Sequence, residues 1–262
     1  MFLAIDIGNT HTVIGLFRED EIIASWRIGT SRYKYETSDE MGTIIINFLK
    51  NSGFEKNEIK DIAISSVVPR VMNEIGNMSR KYFRVEPLII DSTINTGLKT
   101  LYDFPEEIGA DRIANSVAAI DLYGKPAIVA DFGTATTFDI ISCAGEYVGG
   151  VIAPGIEISS EALFNVAAKL SKVDLNWPET IIGKNTSHAL RAGILYGFLG
   201  QVDYILEKII EEMNASGKKF DPVIIGNGGL SVLLENKSRY INVFDMNLTL
   251  KGIRILFKRN KK

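Results

Sequence analysis

The amino-acid sequence predicts an α/β fold made of two duplicated domains, each a mixed sheet flanked by helices. Short apolar β-rich runs alternate with stretches of helical periodicity, and the alternation restarts near the middle of the chain. The segment Ala4-Ile5-Asp6-Ile7-Gly8-Asn9 returns as Val129-Ala130-Asp131-Phe132-Gly133-Thr134, an offset of 131 minus 6, or 125 residues. The 262 residues suit two domains of about 100 to 150 residues each, divided here as 1–118 and 119–262. An Asp-x-Gly triplet alone recurs by chance about once in a chain of this length. Context separates these copies from chance, because each ends an apolar strand and opens a hairpin.

The elements follow in order. Phe2 to Ile5, Thr12 to Phe17 and Glu21 to Trp26 are apolar runs separated by turn signals at Gly8-Asn9 and Arg18-Glu19-Asp20, a three-strand meander. Thr37 to Lys50 sets Met41, Ile44, Ile45, Phe48 and Leu49 at helical spacing, and Ile62 to Val68 is a continuous apolar strand stopped at Pro69. Val71 to Tyr82 reads as a helix, Pro87 to Ile90 as a buried strand, and Ala110 to Tyr123 as a helix ended by Gly124 and Pro126. The second round opens with strands Ala127 to Ala130, Thr136 to Ser142 and, past a turn at Gly145, Tyr147 to Ile152. Thr186 reads as the N-cap of a helix over Ser187 to Leu199, and apolar positions continue from Ala189 to Ile210. Ile224 to Leu230 is a strand end turning into a helix, and Lys258 to Lys262 reads as a frayed, solvated end.

Composition narrows the function. Hydrophobic residues at 46% and charged residues at 23% are those of a folded globular protein. A net charge of -3 gives no basic field for a polyphosphate backbone, which argues against nucleic acid as a partner. One cysteine, Cys143, excludes an intrachain disulfide, and with only two histidines the usual zinc spacings are excluded too. Met1 to Asp6 begins as a strand with no leader-like segment and no apolar run approaches 18 residues, so a cytoplasmic protein without a membrane partner is expected. Cys143 is expected as a small core residue on a strand, His188 on a helix surface or at a satisfied interface, and His11 lining the first hairpin.

Three turns carry candidate chemistry. Asp6-Ile7-Gly8-Asn9-Thr10 joins a carboxylate, exposed backbone amides and short polar side chains at a strand end. Gly8 permits close backbone approach, Asn9 and Thr10 can donate to phosphate oxygens, and Asp6 can hold Mg²⁺ directly or through water. A plain hairpin turn explains the same residues. Asp131-Phe132-Gly133-Thr134 repeats the arrangement, with Thr134 the stronger phosphate ligand and Thr136 and Thr137 readable as ordinary β-formers. Gly226-Asn227-Gly228-Gly229 is a glycine turn on which a flat ring could lie. It is no dinucleotide fingerprint, because Ser231 replaces the third glycine. Nor is Gly183-Lys184 a P-loop, since Asn185 follows it and Pro178 stands where the first glycine belongs.

Together, Asp6-Ile7-Gly8-Asn9-Thr10, Gly109-Ala110-Asp111-Arg112, Asp131-Phe132-Gly133-Thr134 and Ile182-Gly183-Lys184-Asn185-Thr186 resemble, in order and spacing, the motifs of type III pantothenate kinases, within the superfamily of acetate and sugar kinases, heat-shock chaperones and actin. Two departures are Asn227, where threonine is expected, and Phe104 before Pro105. The resemblance implies two actin-like (ribonuclease H-like) domains with a nucleotide cleft between them, and transfer of the ATP γ-phosphate to the terminal hydroxyl of pantothenate. It implies Asp111 as general base, expected at low pKa in the first turn of a helix, and Arg112 as a partner for the substrate carboxylate or a phosphate oxygen. ATP would meet Asp6, Ile7, Gly8, Asn9, Thr10, His11, Thr12, Val13 and Thr134, and pantothenate would meet Tyr102, Gly109, Ala110, Asp111, Arg112 and Thr186. It further implies a monovalent cation, K⁺ or NH₄⁺, on Asp131, Mg²⁺ with ATP at Asp6, and a homodimer; the apolar helix from Ala189 to Ile210 could supply its interface, and a buried core helix explains that stretch equally well. The alternatives are a nucleotide-binding transcriptional accessory protein of the same fold, or a kinase for another small hydroxylated acceptor.

Overall fold

The structure, a computed structural model, describes residues 1–30, 37–166, 172–215, 217 and 219–261. The chain forms two compact units, one made of Met1–Asp121 with Asn247–Lys262, the other of Leu122–Met246. The linear division at 118/119 therefore differs from the structure on one point: the last helix belongs with the first unit. No local pattern in a sequence marks a helix that returns to a sheet more than 200 residues upstream.

In the first unit the strands β1 (Phe2–Ile7), β2 (His11–Arg18), β3 (Glu21–Gly29), β4 (Asp61–Ser66) and β5 (Leu88–Ile89) form a sheet of order β3-β2-β1-β4-β5. β1 runs antiparallel to β2 and parallel to β4. Its first four residues are all buried, whereas β3 alternates half-buried and exposed positions. That is the expected difference between a central strand covered on both faces and an edge strand. Helix α1 (Ser38–Asn51) begins at a capping box, in which Thr37 Oγ1 accepts from the Glu40 N–H at 3.2 Å and Glu40 Oε2 accepts from the Thr37 N–H at 2.9 Å. Its buried Met41, Ile45 and Leu49, spaced by four, join Leu3, Ile5, Ile62 and Ile64 in the core. The helix expected over Val71 to Tyr82 forms with a change of pitch: α2 (Met72–Met78) widens into a π turn over Ser79–Phe83, which ends at left-handed Arg84 (φ 59°). A two-residue strand β6 (Lys99–Thr100) precedes helix α3 (Ala110–Tyr123), which matches its sequence bounds.

The second unit repeats the plan. Strands β7 (Ala127–Phe132), β8 (Ala135–Ile141), β9 (Glu146–Pro154), β10 (Val223–Asn227) and β11 (Val243–Phe244) stand in the order β11-β10-β7-β8-β9, with β7 antiparallel to β8 and parallel to β10. The duplication extends to irregularities, since the middle strand of each meander carries a register shift near its end, at Leu16/Phe17 and at Ile140/Ile141. Identical strand order, identical directions and a matching bulge support duplication far more strongly than an Asp-x-Gly triplet does. Helices α4 (Ile156–Val166) and α5 (Thr186–Ala215) cover this sheet, Leu195, Val202 and Leu206 of α5 being fully buried with Ile128 and Phe138.

Two local expectations are corrected here. Cys143 lies exposed in the β8–β9 turn, its thiol 3.6 Å from the Lys219 carbonyl, because β8 ends two residues before it. Through Lys261 the basic tail is ordered rather than frayed, Lys262 lying outside the described residues: helix α6 (Leu248–Asn260) stacks Phe257 on Phe2 at 4.8 Å between ring centroids. Arg259 donates to the Thr96 carbonyl at 2.6 Å and to Asp121 at 2.5 Å, and Lys261 pairs with Asp61 at 2.8 Å. Charge density suggested solvation, but the long stems of these residues let an apolar helix face dock while their heads find partners.

Candidate active site

In the first unit the site is built at the carboxyl ends of β1 and β4. Asp6 stands in direct register with Ser65, and the Ser65 hydroxyl donates to Asp6 Oδ1 at 2.8 Å. The hairpin that follows is closed by the Gly8 N–H donating to the His11 carbonyl at 3.0 Å. Asn9 is exposed and Gly8, Thr10, His11 and Val13 are half-buried. The Ile7 and Thr12 side chains are buried, Thr12 sharing a hydrogen bond with Thr30 at 2.9 Å. Any contact of these two with a ligand therefore runs through the backbone. His11 Nδ1 takes a hydrogen bond from Arg27 at 2.9 Å.

Helix α3 begins beside the same strand ends. The Val67 N–H donates to the Ile7 carbonyl at 3.1 Å, and a Cβ placed on Gly109 would sit 3.5 Å from the Val67 side chain and 2.5 Å from Asp111 Oδ1. Gly109 thus leaves the space in which the Asp111 carboxylate folds back to accept the Arg112 N–H at 2.8 Å. Ala110 and Arg112 are buried, and Tyr102, half-buried, is held upstream by its N–H donating to Thr100 Oγ1 at 3.0 Å. The low pKa expected from the helix dipole is overturned. Burial pushes the Asp111 carboxyl above its ordinary value, against smaller lowering contributions from the Arg112 backbone N–H and guanidinium. Replacing Gly109 by Ala is accordingly expected to displace this carboxylate. We expect kcat to fall at least tenfold, about 1.4 kcal/mol of lost transition-state stabilisation, with the melting temperature nearly unchanged; steady-state kinetics beside thermal unfolding checks it.

The second unit presents the corresponding turn. Asp131 ends β7 in register with Asn227 at the end of β10, and Asn227 Nδ2 donates to Asp131 Oδ2 at 2.8 Å. The turn closes through the Gly133 N–H and the Ala135 carbonyl at 3.1 Å, with Thr134 half-buried. Two glycines wall it in. A Cβ on Gly155 would come within 2.4 Å of the Thr134 carbonyl, and one on Gly228, at φ 86°, within 2.6 Å of the Phe132 carbonyl and 2.8 Å of Asp131 Oδ1. The role of Gly155 was not legible in sequence, since close backbone approach between segments leaves no local signal. Asn227, which stands where threonine is expected, is 2% exposed with its amide on Asp131.

Thr186 occupies a third place, at the start of α5. The N-cap is Asn185 rather than Thr186: Asn185 Oδ1 accepts the His188 N–H at 2.9 Å. Gly183 is fixed by packing, because a Cβ there would meet the Ala189 nitrogen at 2.3 Å. His188 is satisfied, its Nε2 lying 2.7 Å from the Thr180 carbonyl. Thr186 opens onto a cavity of about 660 Å³ between α4 and α5, lined also by Ser159, Leu163, Gly193, Ile194 and Phe198, a volume within the usual range of small-ligand sites. Among the described residues no group of three or more His, Cys, Asp and Glu side chains gathers into a metal cage. Single carboxylates at strand ends suit a hard cation that keeps its water or arrives with phosphates.

Comparison with known proteins gives a consistent result. A family model described as type III pantothenate kinase matches residues 2–208. A type III pantothenate kinase from Bacillus cytotoxicus is 46% identical over 260 residues, covering 99% of this chain and 97% of that one. Among solved structures, a proposed Baf family transcriptional activator from Campylobacter jejuni aligns with a TM-score of 0.59 at 21% identity, covering 98% of both chains. A proposed 2-dehydro-3-deoxygalactonokinase from Sinorhizobium meliloti aligns at 0.60 and 12% identity, covering 98% of this chain and 96% of that one. At such identities the two structures speak to fold alone.

Proposed function

The chain belongs to the type III pantothenate kinase family, and on that premise we propose how its residues divide the work of moving the γ-phosphate of ATP to the terminal hydroxyl of pantothenate, the first step of coenzyme A synthesis. The observation that carries this reading is Asp111: a carboxylate desolvated in the first turn of α3, beside the ends of β1 and β4, with its pKa raised. A raised pKa moves the group toward the working pH, where a general base accepts a proton most effectively.

Asp111 orients the pantothenate hydroxyl and takes its proton as the hydroxyl oxygen bonds to the γ-phosphorus. The bond from that phosphorus to the β,γ-bridging oxygen breaks, and ADP leaves with the electron pair. Charge stabilisation is the larger part of such a transfer. The Gly8 to Thr10 amides and side chains hold phosphate oxygens from one hairpin and Thr134 from the other. Asp6, through water, would hold the Mg²⁺ that travels with ATP, and Asp131 a K⁺ or NH₄⁺, cations that neutralise phosphate charge when bound. Arg112 and Tyr102 fix the acceptor, and Thr186 adds a hydroxyl from a helix that we assign to a homodimer contact. The exposed Tyr196 and Tyr204 on α5 support that contact. No helix among the described residues is long and apolar enough to cross a membrane, and the chain's one cysteine suits the reducing cytoplasm.

The test is ATP-dependent phosphate transfer to pantothenate, with product mass measured in KCl and in choline chloride. We expect a product heavier by one phosphoryl group, formed at least tenfold faster with K⁺. Transfer that is indifferent to K⁺ would remove the role given to Asp131, and transfer only to another acceptor would remove the role given to the pantothenate ligands.

A further inference from the structure

The two strand-end carboxylates share an unexpected feature. In each unit, the residue in direct register on the parallel neighbouring strand supplies a neutral donor: Ser65 Oγ to Asp6 Oδ1 at 2.8 Å, and Asn227 Nδ2 to Asp131 Oδ2 at 2.8 Å. Adjacent residues of a parallel pair point to the same face, so the register itself aims each donor at its carboxylate. Both donors are buried, Ser65 at 0% and Asn227 at 2% exposure, each at the end of a strand whose preceding buried residues are apolar. A polar side chain in such a place costs stability unless it is hydrogen-bonded. In both units the bond goes to the carboxylate that the proposed function assigns to a cation.

We infer that Ser65 and Asn227 are duplicated positioning residues, each turning one carboxylate, Asp6 or Asp131, into the orientation that receives its cation. Neither touches substrate; each acts through the carboxylate beside it. A neutral donor suits the task. It stabilises the ionised carboxylate by hydrogen bonding, while leaving its negative charge to attract the cation, whereas a lysine or arginine there would cancel that charge. The donors also differ in a telling way. The first unit shows that a serine hydroxyl spans a register pair of this kind, so the amide of Asn227 is one solution among short donors and its chemistry, not its shape, is what matters.

The inference rests on the cation assignments of the proposed function, and the experiment separates the two. Mn²⁺ binding in the presence of ATP, followed by electron paramagnetic resonance, reads the Asp6 site. The rise in melting temperature between choline chloride and KCl, with ATP present, reads the Asp131 site. Both are measured on the full chain for the wild type, Ser65→Ala, Asn227→Leu and Asn227→Ser. Ser65→Ala is expected to weaken Mn²⁺ binding about tenfold and leave the K⁺ response intact. Asn227→Leu is expected to raise the K⁺ concentration for half-maximal stabilisation about tenfold and leave Mn²⁺ binding intact, with Asn227→Ser restoring most of the K⁺ response.

Variants that merely melt earlier, with both cation responses as in the wild type, overturn the inference. So does failure of Asn227→Ser to recover what Asn227→Leu loses, since that places the effect in packing. A wild-type chain with no K⁺ response overturns the Asp131 assignment and the Asn227 half with it, and the Ser65 half is then decided by the Mn²⁺ measurement.

Discussion

Asp111→Asn is expected to lower kcat by about a thousandfold, in the range associated with loss of a positioned acid or base, while MgATP binding is retained. Asparagine keeps the shape and can still accept the Arg112 N–H, so the first turn of α3 should stand, but it takes no proton. The same substitution should raise thermal stability at neutral pH. In the wild type, burial lifts the folded-state pKa of Asp111 above its ordinary value of 3.8. The folded chain then binds more protons than the unfolded chain, and stability is lost as pH rises from that ordinary value through the folded pKa. Asparagine carries no such loss, so the melting-temperature advantage of the variant should grow over that window and level off above it. Likewise kcat/KM of the wild type should fall on the acid side with a midpoint above the ordinary carboxylate value. Isothermal titration with MgATP, a pH series of thermal melts and a pH–rate profile check these points. Lost nucleotide binding, or a stability gap independent of pH, would count against the assigned role.

The second large effect is expected from Gly252→Ala in α6. On an exposed helix this change stabilises by about 1 kcal/mol. Here a Cβ at position 252 would lie 2.0 Å from the Ala114 carbonyl oxygen and 2.5 Å from its carbon, backbone atoms of α3 that no rotamer change can move away. Forced overpacking costs about 1 to 3 kcal/mol and sometimes more, so the clash should outweigh the propensity gain. We expect a net loss of about 2 kcal/mol and, at about 2 to 4 °C per kcal/mol for a chain of this size, a melting temperature lower by about 4 to 8 °C. Gly53→Ala bears on a different question, since its φ of 80° makes alanine costly by backbone strain although nothing lies within 4 Å. Comparing the two separates helix contact from glycine conformation. An unchanged or raised melting temperature for Gly252→Ala would show that α6 does not approach α3 this closely.

Most of the strands and helices could be read from the chain because each is announced locally. The apolar run at Phe2 to Ile5 foretold a strand, and Gly124 and Pro126 stopped α3 where the structure ends it. The duplication was visible in one short repeat, and the four motifs of the kinase family kept their order. These features rest on interactions within about ten residues, or on spacing along the chain, and such information is written in one dimension.

What only the tertiary structure decided are consequences of segments meeting. The return of α6 to the first unit, the wall that Gly155 makes around the Thr134 turn, and the placing of Ser65 and Asn227 beside their carboxylates all depend on partners tens to hundreds of residues away. The Asp111 pKa shows the physical reason most directly. The helix dipole, a local effect, argued for a low value, whereas desolvation, which depends on everything packed around the carboxylate, pushes it up. Residue type and spacing selected the groups to which we assign the chemistry; burial and register, which exist only once the strands have paired and the helices have docked, set how those groups are aimed and how readily they hold a proton.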